Sequence, residues 1–178
     1  MFGFGKKSKI YLAKRLIELS EKASDEFLNY IKNDAEVYNK CINDTPIKNT
    51  SAIYMMQIYT DMLNTVYDLK DVFLVVHMAT HSSAPTQQVG DVFLKTMMDY
   101  GKQLREVVNY HKNSPDYDFI ECVSDVFFAL IYDNQEEFIN DVNNELRNKV
   151  CYKKVYKYFD GVYKNSIILQ EEYNMKKK

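Results

Sequence analysis

Two of the three histidines in this 178-residue sequence, His77 and His81, stand four residues apart, which places both imidazoles on one face of a helix. Such a pair can begin a metal site, because zinc is commonly held by imidazole nitrogens. Zinc needs four ligands, or three and a water molecule. A di-iron bundle needs a Glu three residues before a His, but Leu74, Met78 and Val108 occupy those positions.

We therefore expect no bound metal and no cofactor, although an adventitious ion at the histidine pair stays open. The pair closes a predicted helix, where a cation interacts favourably with the helix dipole. His111 lies at the far end of the next predicted helix, ~37 Å along its axis. The nearest expected carboxylate is Asp91, and we expect Lys6, Lys7 and Lys9 at the same end of the bundle, which disfavours a cation.

Arg105 and His111 form the second pair that could do chemistry. An arginine can stabilise developing negative charge and a histidine can move a proton, as cleavage of a phosphodiester requires. The Arg-x₅-His spacing resembles the Arg-x₄₋₆-His motif of the all-helical HEPN ribonuclease domains. The resemblance covers seven residues and implies an RNA-cleaving or defence-associated protein with these two catalytic groups. His111 also continues the apolar stripe of its helix, which predicts a buried or half-buried side chain instead.

Charge is unevenly distributed along the chain. Residues 115–145 carry nine acids and no Lys or Arg, whereas residues 149–164 carry five lysines and one acid. Asp118, Glu121 and Asp125 fall on one face of a predicted helix. One interpretation is that acidic and basic helices lie side by side and compensate each other. The other is that these three carboxylates form a surface patch for a basic protein partner, whose association they would accelerate.

Composition excludes several classes of function. A net charge of −2 gives no overall field of the kind that nucleic-acid binders use, so nucleic acid is not an expected partner. Three widely spaced cysteines predict reduced thiols in a cytoplasmic protein. No run approaches the roughly 20 apolar residues of a membrane span. We therefore expect a non-enzymatic protein that acts through protein–protein interaction or regulation, with a homodimer as a further expectation.

Apolar residues recur with a helical period along the chain, and no strand-like alternation competes with them. Only five Gly and three Pro interrupt the pattern, which favours long elements. The stripe of the second predicted helix includes Leu69 and Phe73. The pattern after residue 133 leaves open one bent helix or two, with Gly161 as a candidate break. The stripes predict helices over residues 8–43, 50–81, 86–113, 115–132 and 133–173.

The predicted architecture is all-α, an antiparallel bundle of four to six long amphipathic helices with short connections. Residues 1–7 are expected to form a flexible N-terminus. Residues 8–173 are expected to form a single helical-bundle domain, and residues 174–178 a basic tail.

Overall fold

The computed structural model describes residues 6–178 and is all-helical, which confirms the predicted class. Among these residues the strand-like pairings are isolated backbone bridges. One short 3₁₀ helix, Leu146–Asn148, interrupts the second half of the chain. No helix in the described part of the chain is both long and apolar enough to cross a membrane. The α-helices are α1 Lys9–Lys32, α2 Ala35–Tyr38, α3 Asp44–Val66, α4 Leu69–Ser83, α5 Gln87–His111, α6 Phe119–Ile131, α7 Gln135–Asn144, α8 Val150–Lys164 and α9 Ile167–Gln170.

The helices are more numerous than four to six because three of the five predicted helices are broken, those over residues 8–43, 50–81 and 133–173. The first is interrupted where Asp34 accepts a hydrogen bond from the backbone N–H of Val37 and caps α2. The second is interrupted at Tyr67, whose backbone is extended, and Asp68 then caps α4 by accepting from Lys70 N–H. Side-chain caps of this kind satisfy the free N–H groups of a new first turn.

The break at Tyr67 changes the topology. The break turns α4 back along α3, so that α4 runs parallel to α1. The starts of α1 and α4 therefore lie together, and Lys9 Nζ is 2.5 Å from Asp71 Oδ1. The expectation that α1 begins beside His81, with its lysines around the histidine pair, is therefore wrong. The chain passes α1, α3, α4 and α5 in a four-helix arrangement to which α6 and α8 are added.

The central helix is α3, which is buried on nearly all sides. A helix without a solvent face must satisfy its polar side chains internally. The hydroxyls of Ser51 and Thr60 donate to backbone carbonyls one turn earlier, each at 2.7 Å. The hydroxyl of Tyr54 donates to the carbonyl oxygen of Val123 in α6, at 2.9 Å. These bonds let α3 cross the core without unpaired hydroxyls at those three positions.

An aromatic cluster joins four helices. Phe27 of α1 and Phe127 of α6 have ring centroids 4.9 Å apart, and Tyr54 lies 6.1 Å from Phe127. Phe159 of α8 packs edge-on against Tyr54 at 5.9 Å. Tilted and edge-on pairs of this kind each add about 0.5–1.5 kcal/mol beyond the area that they bury. The cluster therefore fixes α6 and α8 against α1 and α3.

The C-terminal segment, expected to form a basic tail, packs against the rest of the chain. Tyr173 is fully buried and packs edge-on against Tyr67, with ring centroids 6.2 Å apart. Asp68 N–H donates to the carbonyl oxygen of Lys176 at 2.7 Å, and Lys7 N–H donates to that of Glu172 at 2.9 Å. Residues 174–178 are thus part of the folded body and hold the break between α3 and α4. Of the expected flexible residues 1–7, residues 1–5 lie outside the described part of the chain.

Other helix boundaries also differ from the predicted ones. Helix α3 begins at Asp44, with Pro46 in its first turn, where a missing N–H removes no intrahelical bond. The region after residue 133 forms α7, α8 and the short α9, with the 3₁₀ turn between α7 and α8. Gly161 does not break α8, which continues to Lys164.

Candidate functional site

The histidine pair lies on the last turns of α4, and its stacked rings have centroids 4.0 Å apart. The Nδ1–H of His81 donates to the carbonyl oxygen of His77 at 2.9 Å, and Nε2 lies 3.0 Å from Oδ1 of Asp91. The expectation that Asp91 is the carboxylate beside the histidine pair is confirmed. The Nδ1 of His81 is engaged by the His77 carbonyl, and Nε2 faces the Asp91 carboxylate. Among residues 6–178 no three potential ligands come together, and the lack of a metal stays a prediction.

Arg105 and His111 lie on the same helix but line different clefts. Six residues of α-helix turn the chain by about 240°, so the two side chains leave α5 in different directions. Arg105 Nη1 lies 4.0 Å from Oδ1 of Asp61, whereas His111 lines a small cleft with Arg147 at the end of α5. His111 is exposed, so the expected buried or half-buried position is wrong.

The three acidic residues of α6 do lie together, but they are occupied by neighbours. Arg147 bridges two of them, with Nη1 at 2.7 Å from Glu121 and Nη2 at 2.5 Å from Asp125. The hydroxyl of Tyr152 also donates to Asp125, at 2.6 Å. Burial raises the pKa of Glu121, and the guanidinium of Arg147 acts against that rise.

Asp118, the third acid, has a structural role of its own. Its Oδ1 accepts from the backbone N–H groups of Ile120 and Glu121 and caps α6, while Oδ2 accepts from the hydroxyl of Tyr156 at 2.6 Å. Burial acts to raise the pKa of Asp118, but these hydrogen bonds outweigh it and lower the pKa. Compensation therefore comes from Arg147 and tyrosine hydroxyls rather than from the lysines of 149–164. Binding of a basic partner by Asp118, Glu121 and Asp125 stays a prediction.

The cysteines are buried or half-buried. Cys41, Cys122 and Cys151 are free thiols. Burial raises the pKa of Cys41 and of Cys151 to about 12. A thiol attacks as its thiolate, so neither of these two is activated at neutral pH.

An apolar groove of about 380 Å³ lies between α4 and α5, with α3 as its floor; we call it the α4–α5 groove. Its rim is formed by Leu69 and Phe73 of α4 and Met98 of α5, which are 65%, 50% and 55% exposed. Leu74 continues the exposed apolar surface on α4. Single exposed apolar residues are ordinary, but a group of them beside a groove is typical of an interaction site.

The floor of the α4–α5 groove is polar. Asp61 is the one charged residue between positions 49 and 67, a signal in the sequence that helical periodicity alone did not bring out. Burial raises the pKa of Asp61, while the Gln57 amide and Arg105 act in the opposite direction. Asn64 Oδ1 is buried and accepts no hydrogen bond from the residues that the structure describes.

Gly101 permits this arrangement of α3 and α5. A Cβ at that position would come within 2.5 Å of the Gln57 amide nitrogen and 3.1 Å of Arg105 Nη1. A larger residue there would require the end of the Gln57 side chain to move.

No family model, curated protein or solved structure matches the chain, so the geometry of its own surfaces has to carry a functional assignment.

Proposed function

We propose that this protein is a non-enzymatic interaction module that holds an amphipathic helix of a partner protein in the α4–α5 groove. The exposed rim of Leu69, Phe73 and Met98 is the observation that supports it. Full burial of such side chains is worth about 1.5–3 kcal/mol each, and these are already half-buried. Covering all three would therefore contribute about 3 kcal/mol before the cost of association. A helix laid between two helices presents apolar residues at the matching spacing.

The charge around the groove favours acidic residues on that helix. Lys95 and Lys102 flank Met98 along α5 and Lys70 lies beside Leu69 on α4, so that three bases outnumber Asp99, the lining acid that makes no ion pair with any described residue. Lys70 and Lys95 form no ion pair within residues 6–178, whereas Lys102 has Glu106 at 3.8 Å. Complementary charge would raise the association rate and set the orientation of the partner. This partner is acidic, unlike the basic partner that the sequence led us to expect.

The polar floor adds a requirement for hydrogen-bond donors. Asn64 Oδ1 and the carboxylate of Asp61 are acceptors that line the groove. A donor such as an amide or hydroxyl within the apolar face of the partner helix would pair with them. A polar group left unpaired in a covered interface weakens binding, so this feature selects among apolar helices.

The test uses a fluorescein-labelled model peptide of about 18 residues, ~27 Å as a helix. One face carries leucines with a single glutamine, and both flanks carry glutamates. Fluorescence anisotropy should show saturable binding to the protein. A twin peptide with lysines in place of the glutamates should bind at least tenfold more weakly.

Phe73→Asp should reduce the affinity at least tenfold. Val92→Asp is the matched control, because Val92 is 59% exposed on α5 but does not line the groove. Equal binding of both peptides, or equal affinity of both variants, would contradict the proposal. Sedimentation velocity of the protein alone tests another occupant: a dimer that Phe73→Asp dissociates would identify a second copy in the groove and overturn the assignment to a different partner.

We do not propose ribonuclease activity. Arg105 faces Asp61 and the α4–α5 groove, while His111 lies at the exposed end of α5. The two side chains line different clefts, so no single observation favours ribonuclease activity.

A further inference from the structure

A second cavity, of about 390 Å³, lies where the end of α4 and the start of α5 face α1 and the first half of α3. Its apolar wall is formed by Ile53 and Met56 of α3 and by Phe93 and Met97 of α5. An apolar cavity of about 150 Å³ is large enough for benzene. The space therefore suits an aromatic ring with a short chain attached.

The opposite wall carries four hydroxyl groups, two from α1 and two from α4, and we call the whole space the hydroxyl cavity. Three of them, those of Ser24, Thr80 and Ser83, donate their protons to backbone carbonyls within one turn, at 2.7, 3.1 and 3.0 Å. A hydroxyl whose proton is engaged can only accept from a ligand. This wall therefore favours a ligand that donates hydrogen bonds.

Ser20 supplies the fourth hydroxyl and is different. It is 1% exposed, and its Oγ has no hydrogen-bond partner in the described part of the chain. Buried hydroxyls in folded proteins are rarely left unpaired, and each exception asks for a partner that the chain itself does not provide. A polar group of a ligand in the cavity would be such a partner.

Charge at the mouth of the cavity selects the sign of that ligand. Asp25 of α1 and Lys48 of α3 form an ion pair at 2.5 Å and cancel each other. Glu21 also lines the mouth and makes no ion pair with any other described residue. One uncompensated carboxylate beside a wall of acceptors attracts a cation that carries several N–H donors.

We propose that the hydroxyl cavity binds a small primary amine with an aromatic or branched apolar body. The apolar body packs between Met56, Phe93 and Met97. The ammonium group donates to Ser20 Oγ and to the neighbouring hydroxyl oxygens, and it lies within the field of Glu21. This site is separate from the α4–α5 groove and does not depend on the function proposed for the groove.

The experiment is isothermal titration calorimetry at neutral pH with three probes of similar size. 2-Phenylethylamine should bind with a stoichiometry of one. 2-Phenylethanol, which lacks the charge, and 3-phenylpropionate, which reverses it, should bind at least tenfold more weakly. No binding of the amine at millimolar concentration, or equal binding of all three probes, would overturn the proposal.

Substitutions in and around the hydroxyl cavity test where the amine binds. Glu21→Gln should weaken amine binding at least fivefold, while Glu18→Gln, on the same helix but outside the cavity, should leave it unchanged. Ala52→Leu fills the cavity and should abolish binding. Because Glu21 is exposed, its variant tests the site even if Ala52→Leu fails to fold. Amine binding that survives Glu21→Gln unchanged, or that is lost in the groove variant Phe73→Asp, would place the amine elsewhere.

Discussion

Ser20→Ala should stabilise the free protein, which is unusual for a substitution in a core. Ser20 lies on α1, is 1% exposed and has no partner for its hydroxyl within the described residues. An unpaired buried hydroxyl costs about 1–3 kcal/mol of folding free energy. Alanine also has the highest helix propensity, about 0.5 kcal/mol better than serine. Against this stands the small loss of contacts made by Oγ, which borders an existing cavity.

The net expectation is a gain of about 1 kcal/mol in the free energy of unfolding. For a chain of this length that corresponds to a rise in Tm of about 2–4 °C. Urea unfolding followed by circular dichroism measures the free energy, and a thermal scan measures Tm. Both should be done without added amine, because a ligand bound to the folded state would raise the stability of the wild type.

Ser24→Ala is the matched control. Ser24 lies one turn further along α1, is also buried and also lines the hydroxyl cavity, but its hydroxyl donates to the Glu21 carbonyl at 2.7 Å. Its loss should be neutral or cost up to about 1 kcal/mol. If Ser20→Ala is as destabilising as Ser24→Ala, the Ser20 hydroxyl has a partner, such as a bound water. The argument that this hydroxyl awaits a ligand would then fail.

Two further predictions concern charged groups. Arg147→Met should lower the free energy of unfolding by about 2 kcal/mol, between the values for exposed and fully buried ion pairs, because two carboxylates lose their shared partner. Urea unfolding in a double-mutant cycle with Asp125→Asn should show a coupling energy well above zero. Additive effects of the two substitutions would contradict this. Burial holds the pKa of the Asp61 carboxyl above its value in the unfolded chain, so the folded state binds the carboxyl proton more tightly. The free energy of unfolding therefore falls as the pH rises above about 4. Asp61→Asn should therefore gain stability relative to the wild type between pH 4 and pH 7, and a pH-independent difference would refute this.

The sequence predicted α5 well because its local signals agree with its packing. Thr86 caps the helix by accepting from Val89 N–H, and the predicted apolar stripe is buried at Met97 and Leu104. The connection between α4 and α5 is short, so the two helices must be antiparallel neighbours. Asp91, near the start of α5, could therefore be expected beside His81, near the end of α4. Neither element needs a distant part of the chain to define it.

The break at Tyr67 could not be predicted in the same way. No Gly or Pro marks it, and the residues that hold it lie more than 100 positions later: Tyr173 packs on Tyr67, and Lys176 accepts from Asp68 N–H. Extending the apolar stripe through this point assigned Leu69 and Phe73 to the core. The break shifts the phase of the helix, so that Val72, Val75, Val76 and Ala79 are buried and Leu69 and Phe73 face solvent.

The ion pairs of Arg147 could not be predicted for a related reason. It lies in the 3₁₀ turn between α7 and α8, and the helical pattern from 133 to 173, which left open one bent helix or two, does not locate that turn. The turn brings the guanidinium to Glu121 and Asp125, so a patch that looks uncompensated in sequence is paired in space. Local charge counting cannot detect a single base supplied from another element.

The two candidate sites have one lining residue in common, and this affects how the experiments are interpreted. Met97 is 3% exposed and lines both the α4–α5 groove and the hydroxyl cavity. Methionine adapts its three rotatable bonds to the space on either side, so filling one site changes the surface offered to the other. Coupling between two sites is reciprocal: if the amine alters peptide affinity, the peptide must alter amine affinity by the same factor. Loss of peptide binding in Phe73→Asp with amine binding intact would separate the sites, because Phe73 lines the groove alone.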